Sequence, residues 1–130
     1  MLRSIAGVVT GYVIFGVAAL ALFPLIHRDP HAAPGLGLVL ASTLYGVVFA
    51  GLGGFVAARI AGRRPLMHAG TVGLLVALAA IVSMIFNHEA STLWSELATL
   101  LLMAPAAFCG GAVELSRMGR EHRRTLLRVK

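Results

Sequence analysis

The sequence predicts an all-α polytopic membrane protein: a bundle of four transmembrane helices with both termini in the cytoplasm. Its 130 residues are 58% hydrophobic and only 12% charged, about half the charged fraction of a soluble domain. At least three apolar runs exceed the roughly 18 residues that mark a spanning helix. Basic residues are confined to a few positions between these runs, which is the pattern that marks the cytoplasmic side of a membrane protein.

Four spans are expected, at about residues 4–26, 36–58, 65–86 and 93–115, within one domain of residues 1–116. The first apolar run is longer than the 7–15 residues typical of a signal peptide, so we expect it to remain as a span. Residues 117–130 are expected to form a basic cytoplasmic tail. An interfacial amphipathic helix and a solvated, frayed segment both fit the sequence of this tail.

The turn after the second span carries the clearest local signals. Arg59, Arg63 and Arg64 follow the apolar residues of that span. Gly62 is suited to end one helix, and Pro65 is suited to begin the next. We therefore expect spans two and three to form a tight antiparallel hairpin.

The distribution of basic residues predicts the orientation. With both termini inside, ten of the eleven Lys and Arg residues are cytoplasmic and only Arg28 is external. This asymmetry is a strong positive-inside signal, and it accounts for the net charge of +6 without nucleic acid as a partner. The expected partners are the lipid bilayer and anionic lipid headgroups, with a second copy of the chain or a larger membrane protein as alternatives.

Small residues recur at a spacing of four, which permits close contact between helices in a membrane. The expected helix-packing positions are Gly46, Ala50, Gly54, Ala58, Gly73, Ala77, Ala107 and Gly111. The pairs Gly53-Gly54 and Gly110-Gly111 lie 57 positions apart, as a parallel two-plus-two repeat would produce. A glycine-rich composition would also produce this coincidence by chance.

Two blocks of the chain carry a resemblance: GGFVAARIAGRRPLMHA, from Gly53 to Ala69, and PAAFCGG, from Pro105 to Gly111. They resemble the glycine-rich turn with its basic-Pro hairpin, and the Pro-Ala-Ala-aromatic-x-Gly-Gly ending, of an uncharacterised bacterial family of small four-span membrane proteins. The chain departs from that pattern at Ala112, where such proteins often carry Arg. The resemblance implies the four-span fold and implies no activity.

A polar cluster near the inner ends of the spans is the best candidate for a site. Its members are Arg59, Arg63, Arg64, His68 and Glu114, which should lie near one depth. Lipid-headgroup anchoring with one ion pair is the simpler interpretation, because arginines near helix ends commonly reach the interface. We expect Glu114 to be ionised and paired with Arg59 or Arg117.

Metal and enzyme chemistry receive little support. His27, His31 and His88 lie in the outer loops, but their spacing is not that of a metal-ligand signature, and we expect no metal and no cofactor. The sequence contains no nucleophile–base pair at an obvious spacing and no phosphate-binding loop, so we expect no enzyme. Cys109 lies inside an apolar run and should be buried as a small hydrophobic residue.

These patterns favour a non-enzymatic scaffold or accessory subunit of the bacterial inner membrane. No ionisable residue is expected at the bilayer midplane, where transport pathways usually have one, and the small-residue faces exceed what a minimal bundle needs. The alternative is a small-solute or ion transporter or channel built from the two-plus-two repeat. A continuous polar cavity at mid-depth would favour that alternative.

Overall fold

Four long helices form the part of the protein that the structure describes. A computed structural model describes residues 2–26, 36–86, 97 and 99–128. The helices are α1 (Leu2–Ile26), α2 (Leu36–Ala61), α3 (Pro65–Phe86) and α4 (Ala104–Arg128), and a π-helical turn at Thr99–Met103 precedes α4. Four helical stretches of the described residues are long and apolar enough to cross a membrane: Leu2–Leu22, Leu36–Ala61, Pro65–Phe86 and Leu100–Leu127, the last of which includes the π-helical turn. The predicted fold class, an all-α four-helix membrane protein, is therefore confirmed.

The predicted hairpin between the second and third spans is also confirmed. α2 ends at Ala61, three residues beyond the predicted end at Ala58, and α3 begins at Pro65. Gly62 between them has a φ of 68°, a left-handed conformation that glycine adopts without steric cost. Its N–H donates to the carbonyl oxygen of Ala58 at 3.1 Å, which closes the end of α2 as a glycine cap.

The irregular start of α4 has a cause in the sequence. Pro105 has no N–H to donate, and its ring crowds the carbonyl group four residues earlier, at Leu101. The π-helical turn of Thr99–Met103 lies at that point. A local π turn in a membrane helix satisfies backbone groups that a proline leaves without partners.

α4 continues well beyond the predicted end of the fourth span near Leu115. It runs without a break to Arg128, so the structure has a helix where the sequence left the tail either helical or frayed. Gly119 does not interrupt this helix. From Gly119 to Leu127 every residue is exposed. We call residues 119–128 the α4 extension.

α2 and α3 form the centre of the bundle. Each of them contacts the other and also both outer helices, whereas α1 and α4 do not contact each other within the described residues. Gly7 of α1 lies against Ala61, and Gly111 of α4 lies against Pro65. The start of α1, the α2–α3 turn and the last half of α4 therefore lie at one end of the bundle, which we call the basic end.

Small residues make up most of the buried interior. Among the fully buried side chains of the described residues, only Val72 and Val76 are larger than alanine, while Leu20, Leu44 and other large apolar side chains are exposed. Large apolar side chains outside and small ones inside are what a lipid environment favours, since lipid gives helices no hydrophobic reason to associate and close packing has to hold them together.

Candidate functional site

Adjacent glycines on α2 face two different helices. A Cβ added to Gly53 would lie 2.5 Å from the carbonyl oxygen of Gly11 on α1, and a Cβ on Gly54 would overlap the carbonyl oxygen of Ala107 on α4. Real Cβ atoms essentially never make contacts under 3.0 Å. Both positions therefore require glycine, and α2 is in backbone contact with α1 and α4 within a single turn.

The adjacent glycines of α4 serve the same purpose with a different pair of helices. A Cβ on Gly110 would overlap the carbonyl oxygen of Gly51 on α2. A Cβ on Gly111 would lie 3.1 Å from the carbonyl oxygen of Pro65 on α3 and closer still to the Cβ of Ala69. Because successive residues point about 100° apart around a helix, two neighbouring glycines can open two faces at once.

The contacts do not follow a two-plus-two repeat. Gly53 faces α1, so its counterpart Gly110 would face α3 in such a repeat, but Gly110 faces α2. A repeat would also turn the contact between α2 and α3 into one between α4 and α1, and in the described residues that contact is absent. The glycine pairs recur because each of these helices touches two neighbours closely, which does not require two-fold symmetry.

Seven of the eight predicted packing positions are buried, and Ala77 is partly exposed. The prediction left out a second small-residue face of α2, formed by Gly53, Ala57 and Ala61, which lies against Gly7 and Gly11 of α1. Its spacing of four was visible in the sequence. Only the contacts with α1 show that α2 uses both faces.

The predicted polar cluster lies at the basic end, but its members do not come together. Arg59, Arg63 and Arg64 are exposed, and they form no ion pair with any residue that the structure describes. His68 lines a groove beside α1. Glu114 follows Gly110 and Gly111 by one turn on the face of α4 that packs on α2 and α3, on the other side of the bundle.

Glu114 does not form the predicted ion pair. Its side chain is only 8% exposed, and Oε2 is buried with no hydrogen-bond partner in the described part of the chain. Arg117 instead places its guanidinium carbon 5.7 Å from the centre of the Phe55 ring, a cation–π distance. The predicted pairing of Glu114 with Arg59 or Arg117 is wrong, because the Glu114 side chain is buried whereas both arginines are exposed.

His68 is held by the start of α3. Its Nδ1 lies 3.0 Å from the carbonyl oxygen of Arg64, and because a carbonyl oxygen only accepts, Nδ1 must carry the proton in this bond. Arg64 has a left-handed φ of 49°, and its carbonyl oxygen also accepts the N–H of Met67 at 3.0 Å.

His68 opens onto a groove of about 290 Å³ between α1 and α3. The groove is lined by Ser4, Ile5, Val8, Val9, His68 and Thr71. Thr71 donates its hydroxyl hydrogen to the carbonyl oxygen of Met67 at 2.8 Å, so its own helix satisfies it. Ser4 makes no hydrogen bond to another described residue.

The remaining candidates concern metals and the cysteine. His27, His31 and His88 lie outside the described residues. Within the described ranges, no three His, Cys, Asp or Glu side chains are close enough to hold a metal ion. The expected burial of Cys109 was wrong, because Cys109 is exposed on the side of α4 that points away from its packed face.

Comparison with known proteins adds no relative. No protein family, no curated protein and no solved structure matches this chain. Membership of the four-span bacterial family that its sequence blocks resemble therefore stays a prediction.

Proposed function

We propose that this protein is a non-enzymatic scaffold or accessory subunit of the bacterial inner membrane, which presents the α4 extension from a rigid four-helix anchor. The observation that carries the proposal is the extension itself. Its ten residues continue α4 for about 15 Å, and from Gly119 to Leu127 every residue is exposed among the residues that the structure describes. A helix of this kind offers binding surface on every side.

The composition and packing of the interior favour a role as an anchor and not as a transport pathway. Glu114 is the only buried polar or charged side chain among the described residues, and it lies near the basic end, away from mid-depth. Alternating access requires one group of helices to move against another. Here α2 is in backbone contact with α1 and α4 through glycines, and the interior beside these crossings is filled by Ala and Val side chains.

The surface best suited to an external partner is the α4 extension. The predicted small-residue positions are mostly used inside the bundle, so they no longer argue for an external partner. The extension contains four arginines and one acidic residue, Glu121, and the side chains of Arg120, Arg123 and Arg124 are exposed. Its expected partner is therefore an acidic surface: anionic headgroups, at about 1 kcal/mol per basic residue near the membrane, or an acidic segment of a membrane-protein partner.

One experiment separates the scaffold from the transporter. The full chain is reconstituted into vesicles, and the uptake of Na⁺, K⁺ and H⁺ is compared with that of protein-free vesicles as the control. We expect no uptake beyond the control. Saturable uptake by the wild-type chain would overturn the proposal in favour of a transporter or channel.

A second experiment tests the extension directly. A variant with Arg120, Arg123 and Arg124 changed to Gln is compared with one in which all three are changed to Lys, which keeps the charge. We expect the Gln variant to lose binding to vesicles containing phosphatidylglycerol, or to lose a stoichiometric membrane-protein partner, and the Lys variant to keep it. Equal behaviour of the two variants would remove the electrostatic role of the extension.

The cytoplasmic placement of the basic end is part of the proposal and rests on the distribution of charge. A reporter fused after Lys130 should be active in the cytoplasm, and one inserted within residues 27–34 should be active outside. An external reporter at the C-terminus would contradict the proposed orientation.

A further inference from the structure

We propose that the side of α4 that faces away from the bundle binds a helix of another membrane protein. This partner helix runs beside α4 in the membrane and carries acidic side chains at the level of the α4 extension. The inference rests on the proposed function, in which the extension binds an acidic surface, and it names the class of partner. It is carried by a continuous exposed face of α4, by the distance that the extension projects, and by the sign of its charge.

One face of α4 is exposed from its membrane-spanning part into the extension. Residues three and four apart lie on the same side of a helix, and alternate spacings of four and three are those of two helices that pack along their length. Exposed residues follow this spacing over five successive steps. We call them the lateral α4 face: Cys109, Val113, Ser116, Arg120, Arg123 and Leu127.

The lateral α4 face points away from α2 and α3. Glu114 is on the packed side of α4 and is buried, and Ser116, two residues later, is turned about 160° away from it. Ser116 donates its hydroxyl hydrogen to the carbonyl oxygen of Ala112 at 3.0 Å, so its own helix satisfies it. Ser116 and Cys109 have small side chains, which let another helix approach closely. Val113 between them is 54% exposed.

The extension begins at the level where α2 ends. Gly110 of α4 contacts both Gly51 and Phe55 of α2, and the two helices run in the same direction, toward the basic end. Ala61, the last residue of α2, lies about eight residues beyond the middle of this contact, as Met118 does on α4. The extension therefore begins level with the α2–α3 turn, whose arginines mark the edge of the membrane.

The projection of the extension favours a protein partner over lipid. A headgroup layer is about 5–8 Å thick. Leu127 lies about 12 Å beyond Gly119 along the helix, and about 11 Å along the membrane normal at a typical tilt of about 20°. The Leu127 side chain, which is 70% exposed, is therefore beyond the headgroups. A protein surface can remove this side chain from water, whereas lipid does not reach it.

The charge of the face selects an acidic partner and disfavours a second copy. Arg120 and Arg123 lie on the face and Arg124 lies beside it, in one i, i+3, i+4, i+7 set with Leu127. Glu121, the only acidic residue of the extension, is turned about 100° away from Arg120. Two copies of the chain cross the membrane in the same orientation. Pairing through this face would set arginines against arginines, and like charges repel.

The test measures the association of the full chain with a synthetic peptide in phosphatidylcholine vesicles. The peptide has an apolar spanning segment followed by a helix with Glu at alternate spacings of four and three. A donor fluorophore after Lys130 and an acceptor at the Glu end of the peptide report association by energy transfer. We expect at least about tenfold stronger association than for a peptide with Gln in place of each Glu, because several charged contacts are lost together. Equal association of the two peptides would overturn the inference.

Single variants test the extension part of the face. Arg123→Gln and Leu127→Ser should each weaken association with the Glu peptide by about tenfold, the loss expected for one charge-assisted or one buried apolar contact, and Arg123→Lys should retain it. The matched controls are Arg63→Gln in the α2–α3 turn and Leu126→Ser, at a leucine that is 60% exposed but turned about 100° from Leu127. A loss in the controls equal to that in the face variants would overturn the inference.

A further pair of variants tests the part of the face within the membrane. Val113→Trp places bulk on the lateral α4 face, and Val48→Trp places the same bulk on an exposed position of α2. We expect Val113→Trp to weaken association by about tenfold and Val48→Trp to leave it unchanged. Unchanged association of the Val113→Trp chain would show that the partner contacts only the extension, as a soluble acidic protein would, and would overturn the inference.

Two other results would assign the face to another occupant. The first is a blue shift of a polarity-sensitive dye on Leu127→Cys, made with Cys109→Ser to remove the exposed native thiol, when phosphatidylglycerol is added. It would place the extension on the headgroups. The second is energy transfer between donor-labelled and acceptor-labelled copies of the chain, lost in Val113→Trp, which would show a dimer. Either overturns the inference. The first leaves the proposed function standing, whereas saturable ion uptake would overturn the proposed function itself.

Discussion

α1 has two interfaces in this bundle, and they differ in one property of the sequence. Against α2 it presents Gly7 and Gly11, and the backbones touch. Against α3 it presents Ile5, Val8 and Val9, and an open groove remains. In lipid, helices gain little from hiding apolar surface, so the closeness of backbone packing decides which pairs associate tightly. A helix can thus have a permanent neighbour on one face and an open surface on another.

The largest effect should come from breaking the central crossing. Gly54→Leu places a branched side chain against the Ala107 backbone of α4, where even a Cβ overlaps. We expect a loss of more than about 4 kcal/mol, the range reserved for severe core defects, and a chain that does not purify as a single species. The measurement is unfolding in mixed micelles, followed by helical circular dichroism.

The matched control is Leu52→Ala on the same helix, at a position 46% exposed. Its cost should be below about 1 kcal/mol, since surface substitutions away from packed features have small effects. If Leu52→Ala destabilises the bundle as much as Gly54→Leu, the small-residue crossing is not what holds α2 in place.

A finer comparison uses the same substitution at two glycines of unequal surroundings. Gly110→Ala meets the backbone of Gly51 and Phe55, whereas Gly46→Ala meets the end of the flexible Met103 side chain. We expect a loss of about 1–3 kcal/mol for Gly110→Ala, typical of overpacking, and less than about 1 kcal/mol for Gly46→Ala because methionine adapts its shape. Melting temperatures in one detergent would rank the two, and the reverse order would contradict backbone contact as the cause.

Glu114 tests whether the packed face of α4 tolerates charge. Glu114→Gln keeps the shape and removes the charge of a carboxylate that has a buried oxygen without a partner. We expect stability to rise by about 1 kcal/mol, since a buried charged group without a partner costs more than a neutral polar group of the same shape. Chemical denaturation in detergent measures the change.

The same substitution also tests whether Glu114 and Arg59 form the ion pair that the sequence predicted. Combined with Arg59→Gln, it should give additive effects within about 0.5 kcal/mol, as for residues that do not interact. A coupling energy clearly above that value would show that Glu114 and Arg59 pair after all, and Glu114→Gln would then lower stability.

The smallest effects belong to glycines that contact nothing. Gly16 and Gly119 have no atom within 4 Å of an added Cβ. Gly16→Ala and Gly119→Ala should therefore stabilise by about 0.5–1 kcal/mol through helix propensity alone. A helical circular dichroism melt measures both, and a destabilised Gly16→Ala chain would mean that another surface packs on α1 there.

The sequence alone determined the class of the protein and much of its local structure. The four spans could be identified from the length and apolarity of the sequence segments, because a helix needs about 20 apolar residues to cross a bilayer core of about 30 Å. The end of α2 followed from Gly62 and Pro65, whose backbone restrictions act locally. The small residues predicted from their spacing of four are mostly buried. Residues four apart lie on one side of a helix, whichever helix packs against that side.

Only the tertiary structure decided which helix each face meets. Gly53 and Gly54 are adjacent in the sequence, but Gly53 contacts α1 and Gly54 contacts α4. The pairing predicted for Glu114 failed, and Cys109 proved to be exposed, because both outcomes depend on how α4 is rotated about its axis. Rotation is set by contacts between residues far apart in sequence, and a one-dimensional pattern of small residues on every side of a helix does not specify it.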